Sequence, residues 1–205
     1  MIDIVFRTII NDNLTPYFNK KMSPIPLDGI WVLPCNVSEI NDPGSNIPVG
    51  KLTMSLVNIE EERTINNNLN YSRQSQSLNY AYKNPPVFLN LYILFASNSD
   101  NSGDKGDSDN YYVGLQKISF VVQFFQNQNV FTPQNTPCLA GSGIEELIFD
   151  LRTLSFQDLN NLWGVLGSKY LPSVLYKVRM LCINENFNEG AVSIINNIMV
   201  NDIAT

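Results

Sequence analysis

The chain has 205 residues, 44% of them hydrophobic, which is enough for one domain with a single main core. Its formal net charge of −6 excludes the basic surface on which a nucleic-acid-binding protein depends. It contains no histidine, which excludes Ser-His-Asp and Cys-His nucleophile activation, histidine-ligated zinc and the usual proton shuttle near neutral pH. We therefore expect no nucleic-acid partner, no cofactor and no enzymatic activity.

The N-terminus and the cysteines indicate the compartment in which the chain folds. The first residues lack the basic region and the apolar run of a signal peptide. The most apolar run, residues 87–96, has the length of a strand and is interrupted by Asn90, so no insertion into a membrane is expected. Cys35, Cys138 and Cys182 are odd in number and far apart, which favours reduced, mostly buried thiols in a cytoplasm.

The predicted elements begin with two helices. Apolar residues at helical spacing over residues 2–13 predict an opening helix. Pro16 interrupts this pattern and predicts a short second helix with Thr15 as its cap. The proline-rich residues 24–49 favour irregular structure with a short strand at residues 30–33.

Two strands follow on either side of a polar stretch. Alternating hydrophobicity predicts a strand over residues 52–59. Residues 66–84 are dominated by Asn, Ser, Gln and Tyr and are expected to form a long loop or hairpin. Residues 87–96 are apolar on both faces apart from Asn90, which predicts a central strand covered on both sides.

The polar residues 98–109 lead into a helix predicted to end near Gln128, and residues 144–151 alternate as a further strand. The predicted inward stripe of this helix consists of Tyr111, Leu115, Ile118, Val122 and Phe125.

The acidic loop before this helix suggests a calcium site on first inspection. Asp100, Ser102 and Asp104 occupy positions 1, 3 and 5 of such a loop. However, Lys105 stands where an EF-hand requires glycine, and Tyr111 stands where it requires a bidentate glutamate. The sequence therefore predicts a loop without metal.

Residues 150–183 are the most sharply defined part of the chain. Ser155 and Asp158 form an N-terminal capping signal, and Gly167 is suited to end the helix. An apolar stripe between them, which includes Trp163, is expected to pack in the core. From Val174 the period changes to two: Val174, Tyr176, Val178, Met180 and Cys182 are predicted on one face and Lys177 and Arg179 on the other.

Together these elements predict an α/β (α+β) fold in which helices cover a sheet. A mixed, largely antiparallel sheet is favoured, because the strands at residues 52–59 and 144–151 each keep a polar component on one face.

The acidic run Glu60, Glu61, Glu62 with Arg63 is the most site-like polar feature. It could pair with basic residues of a partner, or it could be a solvated strand end in which Arg63 pairs locally. Glu60 is the better candidate for a buried partner because it directly follows the predicted strand. Consecutive carboxylates on an exposed turn are not held apart around a substrate, so they do not indicate acid/base catalysis.

Two further features are candidate contacts with other proteins. The turn containing Tyr170 and Pro172 is either an exposed contact or part of the subunit's own packing. Lys177 and Arg179 are either a solvated strand face or partners for an acidic neighbour.

Four segments carry a resemblance to a known family. They are LVNIEEERT (residues 56–64), PPVFLNLYILF (85–95), FFQNQNVFTPQNTP (124–137) and LSFQDLNNLWGVLGSKYLPSVLYKVRML (154–181). In this order and at this spacing they resemble the Pvc16 N-terminal domain family, the cap or tube-terminator proteins of extracellular contractile injection systems and related phage-tail-like particles.

The resemblance implies the α/β fold of phage tail terminators and a homohexameric ring at the end of the particle away from the baseplate. It implies that the ring stops polymerisation of the inner tube and fastens the last sheath layer, so that the partners are further copies of the chain, the inner-tube protein and the sheath protein. Assembly in the bacterial cytoplasm is implied, whether the particle is later released or stays anchored to the cell. The alternative is a binding module or adaptor that forms no ring.

The resemblance covers residues 1–183, which we treat as the cap domain. Residues 184–205 are expected to form an extension or arm whose apolar Ile194, Ile195 and Ile198 pack on a neighbouring subunit or on the sheath, or else fold back on their own subunit or lack fixed structure.

Overall fold

The computed structural model describes residues 2–22, 29–38, 50–62, 71–73, 80–82, 88–98 and 107–182. The elements within these ranges are, in chain order, α1 (Ile2–Arg7), a π-helix (Thr8–Leu14), α2 (Thr15–Lys21), β1 (Val32–Pro34), β2 (Leu52–Glu61), β3 (Tyr71–Arg73), β4 (Tyr80–Tyr82), β5 (Phe88–Ser97), α3 (Asp107–Asn127), β6 (Val130–Phe131), a 3₁₀ turn (Pro137–Leu139), β7 (Ile144–Arg152), α4 (Phe156–Leu166) and β8 (Ser173–Cys182).

The main sheet has six strands in the order β1-β2-β5-β8-β7-β6. Only the short β1 pairs in parallel, with β2, and the other neighbouring strands are antiparallel. This confirms the predicted mixed, largely antiparallel sheet covered by helices. β3 and β4 pair as a separate antiparallel hairpin within the polar stretch at residues 66–84.

The predicted central strand is confirmed as β5, which lies between β2 and β8. Successive strand residues point to opposite faces, so Leu91, Ile93 and Phe95 enter the main core under the N-terminal helices and α3. Leu94 and Ala96 point the other way, into a smaller core under α4. We call these two sides of the sheet the main face and the α4 face.

Aromatic rings dominate the main core, with Phe125 of α3 at the centre. The Phe125 ring stacks on Phe149 with 4.3 Å between centroids, and it lies 4.7 Å from Tyr176 and 5.7 Å from Phe95. Phe125 is 2% exposed. Since rings of this size bury 150–250 Å² each, this cluster provides much of the apolar burial that holds α3 to the sheet.

The predicted inward stripe of α3 is confirmed at Phe125 and at Ile118, which packs against the main core, and is wrong at Tyr111 and Leu115. The buried residues are Gly114, Lys117, Val121, Phe124 and Phe125. Only Phe125 belongs to both sets, and the predicted Tyr111 and Leu115 are exposed. The helix is apolar over more than half of its circumference, so periodicity alone did not indicate which stripe meets the sheet.

Lys117, in the buried stripe of α3, links the helix to the residues that precede β2. Lys117 is 5% exposed, donates a hydrogen bond from Nζ to the carbonyl of Gly50, and lies 5.4 Å from the Trp31 ring centroid. Burial, and to a lesser extent the charge of Lys51, lowers the pKa of Lys117 below its ordinary value.

The opening helix is confirmed, but the expected cap at Thr15 is wrong. Thr15 has helical dihedral angles of −59° and −48°, and α2 follows the π-helix without a side-chain cap at Leu14. Pro16 then lies in the first turn of α2, where its missing N–H is not needed.

The predicted short strand at residues 30–33 is found two residues later as β1, and the strands predicted at residues 52–59 and 144–151 are confirmed as β2 and β7.

The expectation of mostly buried cysteines is wrong for the two whose side chains are described, because Cys138 is exposed and Cys35 is partly exposed. The 3₁₀ turn that carries Cys138 buries only Leu139. A hydrogen bond with Asp12 raises the pKa of the Cys138 thiol. The loop proposed and rejected as a calcium site lies largely outside the described residues.

The helix predicted after Ser155 is confirmed as α4. The Asp158 N–H donates to Ser155 Oγ at 3.1 Å, and Gly167 ends the helix at φ 66°, in the left-handed region that favours glycine. Trp163 is buried against Leu94, Ala96 and Leu175, as expected for the apolar stripe.

We expect Ser155→Ala to lower the free energy of unfolding by about 1 kcal/mol, because it leaves a backbone N–H of the first turn of α4 without its acceptor. Urea denaturation followed by circular dichroism measures this. Asn160→Ala is the matched control, since Asn160 is exposed in the middle of α4. This control is expected to raise stability by a few tenths of a kcal/mol, through helix propensity alone. Equal effects of the two variants would contradict a capping role for Ser155.

Candidate interaction surfaces

The α4 face of the sheet is covered by α4 over only one half. The register places Leu175 opposite Leu94 under the helix, and then Lys177 opposite Tyr92 and Arg179 opposite Asn90 beyond it. Alternate residues share a face, so the uncovered half presents mainly polar side chains. We call this half the polar sheet face; it consists of Glu60, Glu62, Asn90, Tyr92, Asp150, Lys177 and Arg179.

The charges of the polar sheet face are paired within the subunit. Arg179 donates from Nη2 and Nε to Asp150 Oδ2, at 2.9 and 3.0 Å. Lys177 Nζ lies 3.9 Å from Glu62 Oε2. Exposed pairs of this kind contribute about 0–1 kcal/mol each, so this network sets the charge pattern of the surface more than its stability.

Glu60 does not have the buried partner that the sequence suggested. Its side chain is exposed, and its Oε2 accepts a hydrogen bond from the Tyr92 hydroxyl at 2.8 Å. Burial raises the pKa of Tyr92, and the hydrogen bond to Glu60 raises it further. The glutamate with the buried partner is Glu62, which accepts from Asn90 Nδ2 at 3.0 Å.

Asn90 is the residue that sequence reasoning passed over on this face. It interrupts an otherwise apolar strand, it is 3% exposed, and its cross-strand neighbours are Glu60 and Arg179. Its Oδ1 has no hydrogen-bond partner in the part of the chain that the structure describes. The sequence did contain a signal, because Asn90 interrupts the apolar run of residues 87–96. A buried amide needs polar neighbours, so Asn90 marks the side of the strand on which polar residues lie.

The turn with Tyr170 and Pro172 lies at the end of α4, away from the polar sheet face. The Tyr170 ring is 62% exposed and meets Trp163 edge-on with 5.8 Å between centroids. The carbonyl of Pro172 accepts a hydrogen bond from the Ser97 N–H at 3.0 Å, which ties the turn to the end of β5. Pro172 therefore has a role within the subunit, whereas Tyr170 presents an aromatic ring to the surface.

A shallow cleft of about 480 Å³ lies between α4 and the polar sheet face. Leu162 and Val165 line it from the helix, and Glu60, Tyr92 and Arg152 line it from the sheet. The lining of the cleft therefore combines apolar and charged side chains.

A second surface, on the other side of the sheet, was not recognised from the sequence. The residues of α3 predicted to face inward lie next to the buried stripe and remain partly exposed at Tyr111 and Leu115. Below them a groove of about 520 Å³ separates α3 from β7, and Val122 and Leu151 line it.

Arg63, Ile194, Ile195 and Ile198 lie outside the described residues. Within the described ranges, no group of three His, Cys, Asp or Glu residues could hold a metal ion. In the same ranges, none of the helices combines the length and hydrophobicity that crossing a membrane requires.

The fold resembles that of proteins that terminate the tubes of contractile injection systems. The chain belongs to the Pvc16 N-terminal domain family, whose model matches residues 7–196. No curated protein matches the chain in sequence.

Two solved structures share the fold at low sequence identity. One is the sheath/tube terminator of the PVC extracellular contractile injection system in its extended state, with a TM-score of 0.56 and 11% identity over 100% of this chain. The other is the anti-feeding prophage cap, a tube-terminating cap, with a TM-score of 0.51 and 12% identity over 91% of this chain. The chain spans 64% and 59% of the lengths of these two proteins.

Proposed function

We propose that this chain is a structural cap of a contractile injection system. In this proposal, copies of the chain form a homohexameric ring that ends polymerisation of the inner tube and fastens the last sheath layer to it. The observation that carries the proposal is the match of the whole chain, helices and sheet together, to a sheath/tube terminator. Membership of the Pvc16 N-terminal domain family supports it.

A terminator binds a growing end while offering no equivalent end to the next subunit. This is a problem of surface shape, which a rigid scaffold solves and bond chemistry does not. The six-stranded sheet with helices on both faces provides such a scaffold, and its two faces offer different surfaces to different partners. The proposed role is accordingly structural and not enzymatic.

The proposed partners are further copies of the chain, the inner-tube protein and the sheath protein, with no nucleic acid and no membrane insertion. We assign the tube or sheath contact to the polar sheet face and the adjoining cleft, with the exposed Tyr170 ring at the end of α4 as a separate contact. Glu60, Glu61 and Glu62 supply carboxylates at the end of β2, and Lys177 and Arg179 supply cations on β8. Because Lys177 and Glu62 are 3.9 Å apart, this loose pair can exchange for charges on a partner at little cost.

Domain organisation follows from the same proposal. Residues 1–183 form the cap domain, and residues 184–205 form an arm that carries Ile194, Ile195 and Ile198 to a neighbouring subunit or to the sheath. Assembly takes place in the bacterial cytoplasm, on particles that are later released or remain anchored to the cell.

Electron microscopy of particles from cells that lack this chain tests the proposal. We expect tubes and sheaths of uncontrolled length, because nothing ends polymerisation at the far end. Expression of the intact chain is expected to restore a uniform length. Particles of normal length and normal sheath attachment in its absence would refute the cap role and favour an adaptor.

Charge reversal on the polar sheet face tests the proposed contact within the same experiment. Lys177→Glu removes the cation between Glu62 and Asp150 and is expected to reduce cap occupancy, most strongly at low salt. Lys20→Glu is the matched control, because Lys20 is exposed on α2 and lies outside the polar sheet face. Equal cap occupancy for the two variants would place the tube or sheath contact elsewhere.

A further inference from the structure

From residue 111 onward, the exposed side of α3 carries no charge. Between residues 111 and 127 the only charged residue is Lys117, and it is buried. The exposed residues are aromatic, aliphatic or neutral and polar, among them Tyr112 and Gln123. A stretch of this length without an exposed charge stands out on a protein with a net charge of −6.

The apolar members of this side form a continuous strip. Tyr111, Leu115 and Val122 share one flank of α3, since they are separated by four and seven residues. The groove beside α3 joins Val122 to Leu151 of β7. Tyr112 is 69% exposed, Leu151 54% and Leu115 36%. We call these five residues the neutral strip.

We propose that the neutral strip is the surface through which one copy of this chain binds the next copy in the cap ring. This inference rests on the proposed function and adds to it the surface of the subunit contact. The groove of about 520 Å³ beside α3, whose lining includes Asp150 as well as Val122 and Leu151, gives the strip the depth to receive side chains of the neighbouring copy.

Charge decides between a second copy and a different protein as the occupant. Every copy brings the same net charge of −6, and like charges closer than the screening length of about 8 Å in physiological salt repel one another. In a ring the contact is head-to-tail, so the strip of one copy meets a different surface of the next copy, and an uncharged strip adds no repulsion to that approach. A tube or sheath protein is a different chain, so it can present charges of opposite sign to those of this chain. The polar sheet face, with its carboxylates and cations, suits such a partner.

The composition of the strip agrees with a permanent contact between identical subunits. Such interfaces are more apolar than transient ones, are enriched in tyrosine and other aromatic residues, and have few charges at their centre. Tyr111 and Tyr112 provide the aromatic rings, while Leu115, Val122 and Leu151 provide the aliphatic surface. Large exposed patches of this kind on a monomer mark binding sites.

Mass photometry and light scattering of purified full-length variants test the assignment. Leu115→Arg and Tyr112→Arg each place a cation in the middle of the neutral strip. Each is expected to weaken ring assembly about 30-fold or more, as substitution at the centre of an interface does. Asn160→Arg is the matched control, since it adds the same charge at an exposed position of α4, on the other side of the sheet. Tyr112 is mostly exposed, so its variant keeps the fold even if the Leu115 variant is less stable.

The result expected is a ring for the intact chain and for Asn160→Arg, and monomers for both strip variants with unchanged circular dichroism. A ring in both strip variants would overturn the neutral strip as the subunit contact while leaving the cap role intact. A monomeric intact chain at every concentration would overturn self-association through this surface. Tube termination would then still be decided by the length of particles that lack the chain, so the two proposals fail separately.

Discussion

Phe125→Ala is expected to lower the free energy of unfolding by about 3–5 kcal/mol, the usual range for truncating a buried phenylalanine. The ring of Phe125 is stacked at 4.3 Å on Phe149 and is surrounded by further aromatic rings from α3 and three strands of the sheet. Flat, interlocking rings cannot move far to fill the space left by a neighbour, so the cavity persists and its cost is added to the lost burial.

Urea denaturation monitored by tryptophan fluorescence measures this loss. Phe156→Ala is the matched control, because Phe156 is the same residue type and is 93% exposed at the start of α4. We expect this control to change the free energy of unfolding by less than about 0.5 kcal/mol, as is usual for surface positions. A loss below about 1 kcal/mol for the Phe125 variant would contradict its central position in the core.

Tyr176 is expected to make the fold sensitive to alkaline pH. Burial raises the pKa of Tyr176 from its ordinary 10.0 to about 12. The folded chain thus keeps the phenolic proton that the unfolded chain loses above pH 10. The contribution of Tyr176 to the free energy of unfolding is therefore fully present below pH 10 and is lost as the pH rises towards 12. A shift of this size corresponds to about 2–3 kcal/mol.

Comparison of the intact chain with Tyr176→Phe isolates this effect. The phenylalanine variant keeps the ring contacts with Phe95, Phe125 and Phe149 but has no proton to lose. The stability of the intact chain relative to the variant is expected to fall by about 2 kcal/mol between pH 10 and 12, measured by urea denaturation at intervals across this range. Contributions from the other titrating groups cancel in the difference, including that of Lys117. A constant difference across this range would show that Tyr176 ionises equally in both states.

The sequence predicted best the elements whose boundaries depend on local chemistry. Ser155 and Gly167 bracket α4 as predicted, because a cap and a left-handed terminus act within one turn of the backbone. The predictions for β5 and β8 also held, since an apolar run and a strict period of two leave little choice.

Predictions failed where the answer depended on distant parts of the chain. The stripe of α3 that meets the sheet is selected by the rings of Phe149 and Tyr176, which follow the helix by more than twenty residues. Glu62, and not Glu60, has the buried hydrogen-bond partner, because the Asn90 amide on the neighbouring strand donates to Glu62. Lys177 and Arg179 were recognised as a polar face, but their pairing with Glu62 and Asp150 required the strand order.

The edges of the main sheet, within the described residues, limit how copies of the chain could join in the proposed ring. One edge is the three-residue β1, which ends at Pro34, and the other is the two-residue β6. Unpaired backbone groups on a long edge strand would let one sheet extend into the next, which leads to fibres, and short edges with a proline suppress this. In the proposed ring, such edges favour contacts between copies through side chains, whose shapes fix the angle between neighbours. A fixed angle allows a set of subunits to close on itself and stop, whereas a sheet that extends through its edges has no defined last member.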